Sequence, residues 1–561
     1  MSDAKSDSKS DSNSGPLSDP LPGPNSGSIS GHGSGAMAGE SKTLKINAAD
    51  LQSLERLRRV AKRLGRDHAA GQPGALLRLK AYPPRGEGST LRHADYLHVV
   101  AREAGFTSWP QLKFQAEAQG FDRAEAQQRL KIALFHGQNP VVEQLLQRWP
   151  DLADGLFGLQ VALYDLAGVR AVLAQDPGAA LRALGPRRPM LHLAFSKYIH
   201  AVPAKRGDML AIAELLLAHG ADVNDAMEAA PGQGETLSAL YGALGHADNL
   251  LLAEWLLGHG ADPNDGESLY HATELGHHDG LALLLRHGAR PAGTNALLRA
   301  LDFDNAEMVS MLLAAGADPN EAVASHVSGQ PALVMPALHQ AARRGCGRAV
   351  VELLLAAGAD VELRHEGITG YARARVHGAR AVAEALAATG ADTGLNREEA
   401  LLARAAEGMA SEGQFIDMAK LAPAWRGLVG QLVPLAGRQK HIAALVALGV
   451  GYDVADDMGL TPVQIAGWEG KPELLSWFLS LKPDLTHVNN FGGTLLSTII
   501  HGSENCPARE RRAHVDCAGV VLHHGVALPR GVIRFAGEPA MAEFLAEWAE
   551  MHPGQVVDGT V

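Results

Sequence analysis

The sequence predicts an all-α fold, a solenoid of stacked helix pairs joined by short hairpin-like turns. Three observations predict it. First, one phrase recurs: AIAELLLAHGADVN from Ala211, LAEWLLGHGADPN from Leu252, LALLLRHGARPA from Leu281 and MVSMLLAAGADPN from Met308. Second, the triplet Gly-Ala-Asp begins at Gly220, Gly260, Gly316, Gly358 and Gly390, with degenerate copies at Gly288, Gly449 and Gly525. Most intervals are roughly 28 to 42 residues, the spacing of a repeat built from one supersecondary unit. Third, aromatic residues are only 5% of the chain, while Ala, Leu and Gly abound. That composition suits close helix packing better than a β-sandwich.

The chemistry of one unit explains the stacking. In Ala337 to Glu362 a short first helix ends near Gly345. A second helix carries Val350, Val351, Leu353, Leu354 and Leu355, whose helical spacing makes one apolar face. Gly358 suits the left-handed conformation that closes a helix, and Asp360 suits the turn after it. One such pair cannot bury its own stripe; a stack of pairs can.

These units resemble ankyrin repeats. The family's opening motif, Thr-Pro-Leu-His-x-Ala, is best matched by Thr461-Pro462-Val463-Gln464-Ile465-Ala466. Leu191-His192-Leu193-Ala194, Leu338-His339-Gln340-Ala341 and Leu269-Tyr270-His271-Ala272 match it in part. The phrases GESLYHA, GTNALLRALDFDNAEMV and NNFGGTLLSTIIHG are similar to those of a bacterial subgroup.

In chain order, residues 1–41 are Ser, Asp, Gly and Pro with little to bury, and read as a disordered tail. Residues 44–120 read as a small helical module. Asn47 and Asp50 suit the cap of its first helix; Leu51, Leu54, Leu57, Val60 and Leu64 make that helix's apolar face. Arg56, Arg59, Lys62, Arg63 and Arg66 make a basic face, either a solvated surface or a nucleic-acid contact. Ser108 suits the cap of a later helix. The array spans 127–392. Its first units are degenerate, a drift expected where an outermost unit faces water. Inserted loops fall at Ile199–Asp208 and Glu321–Pro336. At 393–427 the pattern breaks, which reads as an eroded repeat or a bend. Repeats resume over 428–552, and 553–561 read as a free tail. The whole makes about eleven units.

Composition narrows the function. The formal net charge of −12 argues against nucleic acid as the main ligand. Three cysteines are too few for a disulfide framework, so a cytoplasmic location is expected. No apolar run approaches the roughly 18 residues of a membrane helix, and no signal-peptide core is seen. There is no P-loop: the glycines Gly467 and Gly470 lead to Lys471 but then to Pro472. H-E-x-x-H, G-x-S-x-G and C-x-x-C are also missing. The chain is therefore expected to be non-enzymatic, with no catalytic residues, cofactor or metal. His501, Cys506, His514, Cys517, His523 and His524 lack zinc spacing. His219, His259 and His287 precede turn glycines, where an imidazole can bond helix-end carbonyls.

The resemblance implies where a partner would bind. In ankyrin arrays the two residues before the Gly that ends each first helix project onto a concave face. Here these are Ala243 and Leu244, Glu274 and Leu275, Asp302 and Phe303 (where Asp304 replaces the Gly), Arg343 and Arg344, and Trp468 and Glu469. The expected function is a monomeric scaffold or adaptor for another protein. The alternatives are a nucleic-acid-associated protein and a secreted effector or regulator of one enzyme.

Overall fold

The computed structural model describes residues 54–84, 91, 93–118, 120–229, 236–322, 335–409, 413–506 and 509–558. The N-terminal tail, the cap at Asn47 and Asp50, and most of the insertion at 321–336 lie outside the described residues.

Short helices pair and stack along the chain. Ala337–Arg344 with Arg348–Ala356, Gly370–His377 with Arg380–Ala388, and Pro462–Trp468 with Pro472–Ser480 are regular units. Apolar stripes merge from unit to unit into two continuous cores, one running from Phe114 to Ala391 and one from Ile368 to Trp548. Strands are few among the described residues. Ala226–Glu228 pairs antiparallel with Thr236–Ser238, Met227 facing Leu237, in one inter-unit hairpin.

The recurring phrase has a structural reason at each letter. All eight glycines that end second helices, Gly220 through Gly525, have φ between 84° and 96°, where a Cβ is strained. The Asp two residues on accepts from the N–H two residues beyond itself, as Asp222 does from Asn224 at 2.8 Å and Asp318 from Asn320 at 2.8 Å. The Asn then spans to the next turn. Asn320 Oδ1 accepts from the Asp360 N–H at 2.7 Å, and its Nδ2 donates to the Gly358 carbonyl at 3.0 Å. Asn224 makes the same pair of bonds to Asp262 and Gly260. The phrase therefore encodes a ladder between units as well as a turn within one.

The break falls at helix Arg397–Ala406, which packs on Gly370–His377 and on Gln439–Ala447, with no second helix of its own among the described residues. His377 Nε2 lies 3.0 Å from Gln431 Oε1, which draws the next first helix, Leu428–Leu432, against the same unit.

Three expectations are corrected. The first array units do not face water: Phe114 of the module enters their core, and Gln144 Nε2 donates to the Gln111 carbonyl at 3.2 Å. Residues 553–558 are not a free tail. Val556–Val557 pairs with Leu528–Pro529, and Gln555 Nε2 donates to the carbonyls of Leu522 at 2.7 Å and Val526 at 2.6 Å. The segment from Ile199 is not an open loop, since Tyr198 and Ile199 are buried and Lys205 donates to the Tyr164 carbonyl.

The module itself packs Leu54–Ala69, Pro73–Ala81, His93–Glu103 and Trp109–Ala118 around Leu57, Leu97 and Trp109. Ser108 Oγ accepts from the Gln111 N–H at 3.4 Å. The module also reaches the far end of the chain. Arg58 pairs with Glu543 at 3.3 Å and His93 with Glu547 at 2.9 Å, both carboxylates on the last helix, Pro539–Met551.

Candidate protein-binding surface

The first-helix ends do not all behave alike. Ala243 and Leu244 are fully buried, contrary to the projection that the repeat register implies. The reason is local: residues Gly242–His246 form a π-turn, which inserts one residue and turns the pair inward. Gly242 permits this by lying against the Phe195 ring. His246, largely buried itself, bonds the Phe135 carbonyl at 2.9 Å.

Glu274, Asp302 and Arg344 are brought together across three units, joined by a residue the register rule misses. Arg299 lies 2.7 Å from Glu274 and 2.8 Å from Asp302. Asp302 also pairs with Arg344 at 3.3 Å. His271 sits between Glu267 at 3.2 Å and Glu274 at 2.7 Å. Burial opposes its charge, but hydrogen bonds to both carboxylates win, and His271 is pushed up to about 9. The signal for these partners was present as i, i+3 pairs, His271 with Glu274 and Arg299 with Asp302.

Phe303 stands on this platform. It is 46% exposed, and the Arg299 guanidinium lies 4.9 Å from its ring centroid. Leu275 is half-buried against the core. Trp468 is half-buried too, its ring 5.3 Å from that of His501, and its carbonyl takes a bond from His514 Nε2 at 2.8 Å. Glu469 pairs with Arg512 at 3.2 Å.

Arg343 and Arg344 end the helix Ala337–Arg344. Arg438 reaches across to the Gly378 carbonyl at 3.3 Å. Lys471 Nζ donates to the carbonyls of Val433, Pro434 and Leu435. Burial, helped by Arg512 and Arg344 and opposed by Glu469, pushes Lys471 down to about 8. Burial and then Arg373 push the His377 imidazole down to about 3. Burial and then Arg438 push His441 down to about 4.

The remaining candidates disperse. Arg56, Arg59, Lys62, Arg63 and Arg66 lie on the surface of Leu54–Ala69, Arg63 near Asp67 at 3.7 Å. The Cys and His residues from 501 to 524 do not gather three ligand atoms at one point among the described residues. His93, Glu543 and Glu547 do, within 4.8 Å, with Arg58 already paired to Glu543 there. Burial pushes the thiols of Cys346 and Cys517 up to about 12. His219 and His259 bond the carbonyls of Leu215 and Trp255, each at 2.7 Å. A cavity of about 350 Å³ lies between turns, lined by Pro263, Asn264, Arg290 and Thr294 among others. It holds no acid–base pair.

Residues 240–322 match a family model described as ankyrin repeats in three copies, and 335–366 match a single ankyrin repeat. No curated protein matches the chain. Among solved structures it is similar to an ankyrin repeat domain from Acinetobacter baumannii. Identity there is 26%, coverage is 36% of this chain and 98% of that one, and the TM-score is 0.29. It is also similar to the human ASB11 ankyrin repeat domain, with 18% identity, 45% and 96% coverage, and a TM-score of 0.22. The chain thus carries ankyrin repeats, and its helix pairs build an all-α ankyrin solenoid.

Proposed function

We propose that this chain is a non-enzymatic scaffold or adaptor, monomeric and cytoplasmic, that holds a protein partner on the concave face of its first-helix ends. One observation carries the reading. Phe303 is a large ring left 46% exposed, while Arg299 beneath it is tied to two carboxylates. An aromatic anchor held in place but uncovered suits protein recognition, because little side-chain freedom is lost on binding. Three buried free thiols agree with a reducing compartment.

The test is site-specific photo-crosslinking in cells of origin, with benzoylphenylalanine in place of Phe303 and, as a control, of Leu251 on a second helix. A protein adduct from position 303 and none from 251 is the expected result. Identical adducts at both positions, or none at 303, would sink the reading.

A further inference from the structure

Arg343, Arg438 and Lys471 form no salt bridge with a described carboxylate, and Asp302 and Glu469 act on Arg343 and Lys471 only from farther off. Asp302 serves Arg299 and Arg344, Glu366 serves Arg373, and Glu469 serves Arg512. The three charges lie near the end of the helix Ala337–Arg344. Arg438 Nη2 lies 3.3 Å from where a Cβ on Gly345 would be, and Nη1 lies 2.7 Å from that point on Gly378. Gly345 directly follows Arg343 and Arg344, and Lys471 lies within electrostatic reach of Arg344. Arg343 is half-buried, so its charge is poorly hydrated and attracts an anion more strongly than a fully exposed one. The chain's own balance is −12, so this concentration of positive charge is local.

We infer that this cluster binds an acidic segment of a partner protein, its carboxylates facing Arg343, Arg438 and Lys471 and its flanking apolar residues facing Phe303 and Trp468. The inference rests on the protein-binding reading above and names the partner's chemistry. Charge complementarity selects the acidic occupant. The aromatic flanks select a peptide: Phe303 follows Asp302, the partner of Arg344, and Trp468 ends the helix just ahead of Lys471.

The test is fluorescence anisotropy with the full chain and a fluorescein-labelled peptide of six glutamates flanked by leucines. Comparison probes are the same peptide with glutamines, a single-stranded oligonucleotide of equal charge, and inorganic phosphate as competitor. The variant is Arg343→Gln, because Arg343 makes no hydrogen bond to a described residue, whereas Arg438 and Lys471 hold carbonyls that the fold uses. Expected are binding of the glutamate peptide that weakens with salt, no binding of the glutamine peptide, and a Kd raised about tenfold by Arg343→Gln with an unchanged melting profile. Equal binding of the glutamine peptide, indifference to Arg343→Gln, tighter binding of the oligonucleotide, or full competition by phosphate at matched charge would each overturn it. If the glutamate peptide fails while crosslinking from position 303 succeeds, the acidic-partner inference falls and the protein-binding surface stands.

Discussion

Arg58 and Glu543 stand 485 positions apart in the chain and 3.3 Å apart in space. The carboxylate is almost wholly buried, its side chain 7% exposed, so its partner matters more than in a surface pair. Above pH 7, where the carboxyl is ionised, removing the guanidinium leaves a buried charge unpaired. Arg58→Ala should cost about 1–3 kcal/mol by urea unfolding, and less than half of that in a Glu543→Gln background. Equal costs in both backgrounds would show that the pair does not interact.

The same carboxyl sets a pH dependence. Burial pushes Glu543 up to about 7, and Arg58 only partly offsets it. An acid whose folded value exceeds its unfolded value of 4.5 stabilises the fold while protonated. That contribution is complete below about pH 4.5 and lost as pH rises to about 7. Buried imidazoles act oppositely. His246 and His377, pushed down to about 3 chiefly by burial, withdraw stability as pH falls below 6.5. Comparing Glu543→Gln with the parent isolates the first effect: the urea midpoint of the variant should gain relative to the parent between pH 4.5 and 7. A constant difference across that window would refute the assignment.

His271 works in the alkaline range. Its folded value of about 9 lies above the ordinary 6.5, so its stabilisation is complete below pH 6.5 and gone once pH passes 9. The parent should lose on the order of 1–3 kcal/mol over that interval, and His271→Gln should lose much less. Thermal melts at pH 7 and pH 9 for the two proteins decide it.

The inter-turn ladder predicts a further pair. Asn320→Ala removes two bonds to the next turn and should cost about 1 kcal/mol. Gly358→Ala places a Cβ in open space but at φ +87°, so its cost of about 1–2 kcal/mol is wholly conformational. Denaturation of both single variants and the double variant tests this. Similar losses from Gly370→Ala, at an ordinary backbone angle, would argue against the conformational account.

The repeat itself was legible because left-handed turns demand glycine, and eight of them recur at the end of an apolar helix. The surface was legible only where the register held. It placed Asp302, Phe303 and Arg344 together, but failed at Ala243 and Leu244, where a π-turn that no residue pattern announced shifted the helix. Arg299 was overlooked because the rule looked before each glycine and not one turn back. The Arg58–Glu543 contact had no local signal: each residue reads alone as an ordinary charged position on an amphipathic helix.

That contact changes how the molecule comes apart. Stacked arrays with loose ends peel, because a terminal unit has a neighbour on one side only. Here the opening module is clasped by the closing helix, so neither end is a place to start. The exposed flank moves to the interior, at Arg397–Ala406, which has no second helix of its own among the described residues.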